Sequence, residues 1–374
     1  MIERDRAWPA DRVSPAEGFL LRAAAASDGA AAIEAWRSFR TLVKEGDETM
    51  GQRRLLPLAF RNLLRHGGPK DPYLTHAYAN SFGANARLLG EAGSALRALH
   101  EASIETMVLK GTALLVGHYR DLGARPMSDA DILVPEPRIR EALDALDASG
   151  WRSDPARRWL GSPQHADPVF SPNGANVDLH RHATTEAPWA VADRRFFDDA
   201  TPIEVGGVQT LAMSAGDQLL HSAVHGLRWS IARSPVWMVD IVTLLREGQV
   251  DIDKTVRRAL ELRLHFALRR ALETVRDVIE ATGEIESLLA RLRPVPAGLS
   301  ERTEQWFRVR EPAGLLGALP NLWFSYRRSR SDGRLPIMGF ARYLNAAWGR
   351  ESESGLGAVL ATKVWRRLRA RRRC

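Results

Sequence analysis

Residues 109–134 read LKGTALLVGHYRDLGARPMSDADILV, and the end of that stretch sets Asp129 and Asp131 at the head of the apolar run Ile132-Leu133-Val134. Side chains alternate along a strand, so a strand over 129–134 turns both carboxylates to one face at its N-terminal end. Two like charges so placed repel unless a cation lies between them. A pair of carboxylates completed by substrate phosphates is the oxygen cradle that Mg²⁺ accepts. In the phosphatase type of D-x-D the apolar strand precedes the acids, whereas here it follows them, so that reading fits poorly.

Upstream, the segment 103–111 predicts a strand that ends at Lys110-Gly111-Thr112, and TALLVGHY predicts a short helix after it. A glycine turn opening a helix can present backbone N–H groups and the Thr112 hydroxyl to an anion, with Lys110 and Arg125 adding positive charge. Arg125 has a competing use as an ion-pair partner of Asp121. Downstream, PRIREALDALDAS predicts a helix with Gly150 at its C′ position, and PVFSPNGANVDLHRHA predicts a hairpin about Asn173-Gly174. On the second arm Asp178 shares a face with His180 and His182. If that arm neighbours the 129–134 strand, Asp129, Asp131 and Asp178 converge as a trio suited to two-metal phosphoryl or nucleotidyl transfer, which sets its ions about 3.5–4 Å apart. IEVGGVQTLA (203–212) predicts one last strand.

Helical periodicity surrounds this middle segment. FLLRAAAA, IEAWRSFRTLV, RRLLPLAFRNLLRH and NARLLGEAGSALRALHEA precede it, with HGGPKDP as a connection. After it come SAGDQLLHSAVHGL, capped by Ser214 with Asp217 three residues on, then VWMVDIVTLLREG and the long DKTVRRALELRLHFALRRALETVRDVIEA. Beyond Glu311, Pro312, Pro320 and Pro336 are expected to break the chain, and SYRRSRSDGR (325–334) reads as an exposed basic loop. The expected fold class is α+β, a small mixed-sheet core flanked by N-terminal and C-terminal helical regions. Its expected divisions are an N-terminal helical region at 1–101, an α/β core at 102–212, a helical region at 213–310 and a mixed C-terminal segment with a basic tail at 311–374.

The net charge of +8 is local in origin: Lys363 to Cys374 hold seven Lys or Arg and no acid, and subtracting those seven leaves +1 for residues 1–362. A near-neutral body lacks the broad basic face of a nucleic-acid binder. The tail can be read as a solvated terminus or as a weak contact for an anionic membrane surface or an acidic partner. The first residues carry mixed charge with no apolar leader, no run approaches a membrane span, and the single cysteine is Cys374. A cytoplasmic protein is expected.

The order Lys-Gly-Thr, helix, Arg-Pro-Met-Ser-Asp-x-Asp-Ile-Leu-Val, then Val-Asp-Leu-His resembles the nucleotidyltransferase superfamily of the DNA polymerase β type. Within it the chain looks most like a bacterial family of uncharacterised nucleotidyltransferases, with RLLPLAFRNL, HSAVHG and WMVDIVTLL extending the likeness over residues 30–345. The resemblance implies Mg²⁺- or Mn²⁺-dependent transfer of a nucleoside monophosphate from an NTP to an acceptor hydroxyl, releasing pyrophosphate. It assigns Asp129 and Asp131 to the metal, Asp178 to the metal and the general base, and Gly111 and Thr112 to the phosphate turn beside Lys110 and Arg125. Threonine stands where serine is commoner, and the 16 residues between Thr112 and Asp129 are more than usual.

Rival readings remain at this stage. His221 and His225, four apart on a predicted helix, could join His180 and His182 in a zinc site, although no H-E-x-x-H motif supports it; the blander reading packs that helix beside the cleft with one histidine lining it. D-x-D also serves metal-dependent glycosyltransferases that consume sugar nucleotides. A non-catalytic scaffold with this fold is a third reading. The acceptor, whether a glycan precursor, peptide, metabolite or protein, leaves no mark on the sequence, nor do base preference and oligomeric state.

Overall fold

Seven strands form one mixed sheet: β1 (Met107–Leu109), β2 (Ala130–Leu133), β3 (Arg152–Ser153), β4 (Ala166–Phe170), β5 (Asn176–His180), β6 (Thr201–Val205) and β7 (Val208–Ala212), ordered β3-β4-β5-β2-β1-β7-β6. This computed structural model describes residues 13–68, 70–153, 165–228, 234–312, 314–329, 339–341 and 343–344. β1 is antiparallel to β2 and parallel to β7, and β2 is parallel to β5. The central strands β1 and β2 are buried throughout, which fits the apolar run of β1 and leaves Asp131 as the one buried charge of β2. The architecture is α+β, with helices before and after the sheet.

The strands are shorter than the sequence predicts. β1 begins only at Met107, because the 30-residue helix Pro72–Glu101 runs up to it and Ser103 turns the chain at φ +56°. The Asn-Gly hairpin forms between β4 and β5 across a five-residue loop, with Gly174 at φ +81°. The expected single strand over 203–212 is instead a hairpin. Gly206 and Gly207 both take positive φ, the requirement of a two-residue turn between twisted antiparallel strands, and split the run into β6 and β7.

Helix starts follow the capping signals. Asp71 accepts from the N–H groups of Tyr73 and Leu74 ahead of Pro72, and Ser214 accepts from that of Asp217. The Asp217 carboxylate accepts from the Ser214 hydroxyl, so the two side chains close on each other. Gly150 takes its expected left-handed place after the helix Ile139–Ala148.

Three segments depart from periodicity. RRLLPLAFRNLLRH is not one helix: Arg53 ends the short helix Met50–Arg53 and a second runs Leu56–Arg65, because Pro57 has no N–H for the carbonyl of Arg53. The long run from 253 is likewise two, Ile252–Glu261 and His265–Val278, reversed at Arg263 with φ +54°. Conversely, Pro320 lies inside the helix Gly314–Ser329, whose Phe324 and Tyr326 are buried. Arg328 on that helix is no exposed loop residue. It pairs with both oxygens of buried Glu304 at 2.7 and 2.9 Å. Residues 325–329 of the expected basic loop thus belong to this helix, while 330–334 and the basic tail lie outside the described residues.

Candidate functional site

The register of β2 against β5 sets Asp131 beside Asp178 and Leu133 beside His180. Parallel strands in register present paired residues to one face, so the acid of each strand meets the other and His180, two residues on, shares that face. Asp131, Asp178 and His180 offer ligand atoms within 4.8 Å of one another. Asp131 Oδ1 accepts from Lys110 Nζ at 2.5 Å and lies 2.8 Å from His180 Nε2. Burial alone would raise the Asp131 carboxyl, but the Lys110 ammonium and the His180 ring outweigh it and hold the group well below the usual carboxylate range.

Asp129 sits one residue before β2, half-buried, with the Ser128 hydroxyl 3.3 Å from its Oδ1. It borders the same cleft but is not part of the tight Asp131–Asp178–His180 group. Burial raises its carboxyl, and the charges of Asp131 and Asp178 raise it further. Three acids pressing on one another in this way, with an imidazole beside them, form a donor set that fits a divalent cation. Mg²⁺ would favour the carboxylates, and Mn²⁺ would accept the histidine as well.

The acids floor a cleft of about 520 Å³ that Lys110, Gly111 and Arg125 also line. Lys110 adopts φ +48°, a left-handed conformation uncommon for a residue with a Cβ, in the step from β1 into the helix Lys110–Leu114. Gly111 sits under the cleft side chains: a Cβ there would meet Arg125 Nη1 at 2.5 Å and Met127 Sδ at 3.0 Å, so one of those side chains would have to shift. Thr112 does not line the cleft; it is fully buried, with its hydroxyl lacking a hydrogen-bond partner.

Arg125 does not pair with Asp121. Asp121 is bound by the Tyr78 hydroxyl at 2.5 Å and lies 3.4 Å from Arg61. Arg125 instead donates through two nitrogens to Asp240 at 2.8 and 2.9 Å, and the Tyr119 hydroxyl donates to that same carboxylate at 2.8 Å. Burial works against the Arg125 charge, and Asp240 more than restores it. Asp240 lies on the helix Val236–Arg246, so this pair fastens the helical region after the sheet to the loop that precedes β2. An aspartate within the apolar run VWMVDIVTLL was the available sign that a buried cation awaited it.

The histidine expected to line the cleft is there, and so is its neighbour. His221 and His225 lie ring to ring with centroids 6.0 Å apart, and His221 Nε2 is 2.9 Å from the Ala183 carbonyl. That carbonyl is an acceptor, so Nε2 carries the proton in the neutral ring. Burial, then the Lys110 charge, pushes His221 down to about 4, while burial and Arg228 lower His225. His165, which the sequence reading did not use, lines the cleft and is lowered by burial and by His180. Among the described residues the convergent ligand group is Asp131, Asp178 and His180; His182 turns instead to Asp193 at 2.7 Å. Two further cleft residues escaped the sequence reading, Arg54 and Arg228.

Fold and site together define a mixed-sheet protein with paired strand carboxylates at the floor of a cationic cleft. The profile of a family described as uncharacterised nucleotidyltransferase matches residues 48–280, and the chain belongs to that family. No curated protein matches the chain. A solved structure, an antigenic nucleotidyltransferase-like protein from Paracoccidioides brasiliensis, is similar at 16% identity over 54% of this chain and 97% of its own, with a TM-score of 0.33. Among the described residues no helix is long and apolar enough to cross a membrane.

Proposed function

We propose that this protein transfers a nucleoside monophosphate from an NTP to a hydroxyl of an acceptor and releases pyrophosphate. The observation that carries the reading is the in-register pair Asp131 and Asp178, with Asp129 at the head of the same strand, beneath a cleft bordered by Lys110 and Arg125. Membership of a nucleotidyltransferase family supports it, and the order of motifs along the chain, resembling that of the DNA polymerase β type, is consistent with it.

Asp129, Asp131 and Asp178 would hold the divalent ions, Mg²⁺ or Mn²⁺. When bound, such ions neutralise the polyphosphate and lower the cost of deprotonating the attacking hydroxyl. The acceptor oxygen forms a bond to the α-phosphorus as the bond to the bridging oxygen breaks, and the electron pair leaves with pyrophosphate. Asp178, half-buried like Asp129, would take the hydroxyl proton. Lys110 contributes positive charge where negative charge accumulates, and the neutral histidine wall keeps water from competing as acceptor. Gly111 gives the backbone its close approach to Arg125.

The test is incubation of the protein with each α-³²P-labelled NTP, Mg²⁺ or Mn²⁺, and extract from its own host, beside the Asp129→Ala/Asp131→Ala variant. Label transferred to an acceptor by the wild type alone supports the reading and isolates the acceptor. Equal labelling by both proteins, or none with any NTP, removes it, and turnover of a UDP- or GDP-sugar would replace it with glycosyl transfer.

A further inference from the structure

The cations around the acids differ in how far they are already engaged. Lys110 is bound to Asp131 and Arg125 to Asp240. Arg228 donates to the Thr185 hydroxyl at 2.7 Å, with Glu186 at 3.9 Å. Arg54 lines the same cleft, half-buried, and its side chain has one long hydrogen bond, 3.5 Å to the Pro126 carbonyl. Among the described residues no carboxylate lies within ion-pair distance of it.

The local fold explains how Arg54 comes to be there. Pro57 interrupts the helical run, leaving Arg54 and Leu55 as a turn between Met50–Arg53 and Leu56–Arg65. Neighbouring arginines thereby part company: Arg53 is exposed and donates to the Gly46 carbonyl, while Arg54 enters the cleft wall. Burial and the charge of Arg125 both work against the Arg54 guanidinium, and Asp129 and Asp240 only partly offset them. A half-buried guanidinium with most of its N–H donors unspent, next to a second guanidinium, is a site awaiting an anion. Its planar fork suits phosphate oxygens.

Resting on the nucleotidyl-transfer reading, we infer that Arg54 binds the terminal phosphates of the nucleotide, the part that departs as pyrophosphate. The α-phosphate must lie at the carboxylates, where the acceptor attacks. The remaining phosphates then need donors beside that point, and Arg54 is the cleft cation free to supply them. The N-terminal helical region thus contributes a binding residue to a site otherwise built from the sheet and the helices after it.

The experiment is equilibrium binding of an NTP, of the matching NMP and of inorganic tripolyphosphate, each with excess Mg²⁺, to wild type, Arg54→Gln and Arg54→Lys, with folding checked by thermal melting. Loss of charge-assisted hydrogen bonds predicts roughly ten- to a hundredfold weaker binding of NTP and tripolyphosphate by Arg54→Gln. NMP binding should stay unchanged, and Arg54→Lys should fall between. If wild type binds NTP and Arg54→Gln binds it equally well, the inference is overturned while the nucleotide reading survives. Should Arg54→Gln not fold, wild-type affinity for NTP in Arg54→Lys overturns it equally. Arg54-dependent binding without transfer to any acceptor would uphold Arg54 and remove the transfer reading. No binding of NTP or tripolyphosphate by the wild type overturns both.

Discussion

His221 offers a quantitative test of how the cleft wall is built. Its ring is buried, hydrogen-bonded to the Ala183 carbonyl, and held at about 4 by burial and Lys110. In the unfolded chain a histidine titrates near 6.5. Between those values the unfolded state binds the proton and the folded state does not, so stability is intact above about 6.5, falls as pH drops, and levels off below about 4. For this one ring the loss from pH 7 to pH 5.5 is about 1.2 kcal/mol, and the full loss at low pH is about 3.4 kcal/mol. His221→Gln removes the titration while keeping an amide that can donate to Ala183. Urea melts of both proteins from pH 7.5 to 5 should therefore show wild type losing about 2 kcal/mol relative to the variant, whatever their offset at neutral pH. The difference isolates His221 from His165 and His225, which are lowered in the same direction. A difference that stays constant across that range would refute the reasoning, because the ring would then titrate alike in both states.

Two other perturbations probe the support of the cleft. Asp240→Asn leaves Arg125 buried without its counter-charge and should cost about 3–5 kcal/mol in chemical denaturation; the double variant with Arg125→Met should recover much of that, and an equally unstable double variant would show that the pair is not the reason. Gly111→Ala places a methyl 2.5 Å from Arg125 Nη1. It should cost about 1–3 kcal/mol by overpacking, and if nucleotide binds beside Arg125 it should weaken that binding too; a variant unchanged in both melting and binding would contradict the close approach.

The sequence by itself determined the pieces whose physics is local. Alternation put Asp178 and His180 on a common strand face, and Asn173-Gly174, Ser214 and Gly150 marked turns and helix ends through their own hydrogen-bonding or φ preferences, while Asp129, expected on the strand with Asp131, lies one residue before it. Periodicity was blind to breaks that depend on a missing N–H or a left-handed residue, as at Pro57 and Arg263. It also could not tell that the cost of Pro320 inside a helix would be met by packing.

Only the tertiary structure decided which faces meet. Register between β2 and β5, set by strand pairing across 47 residues of chain from Asp131 to Asp178, made two acids neighbours and drew in His180. The same assembly withdrew Thr112 into the core, committed Arg125 to Asp240, and left Arg54 facing the acids with its donors largely unspent. Ion pairs between distant segments are chosen by whichever charge the fold buries beside another, and no spacing along the chain records that choice.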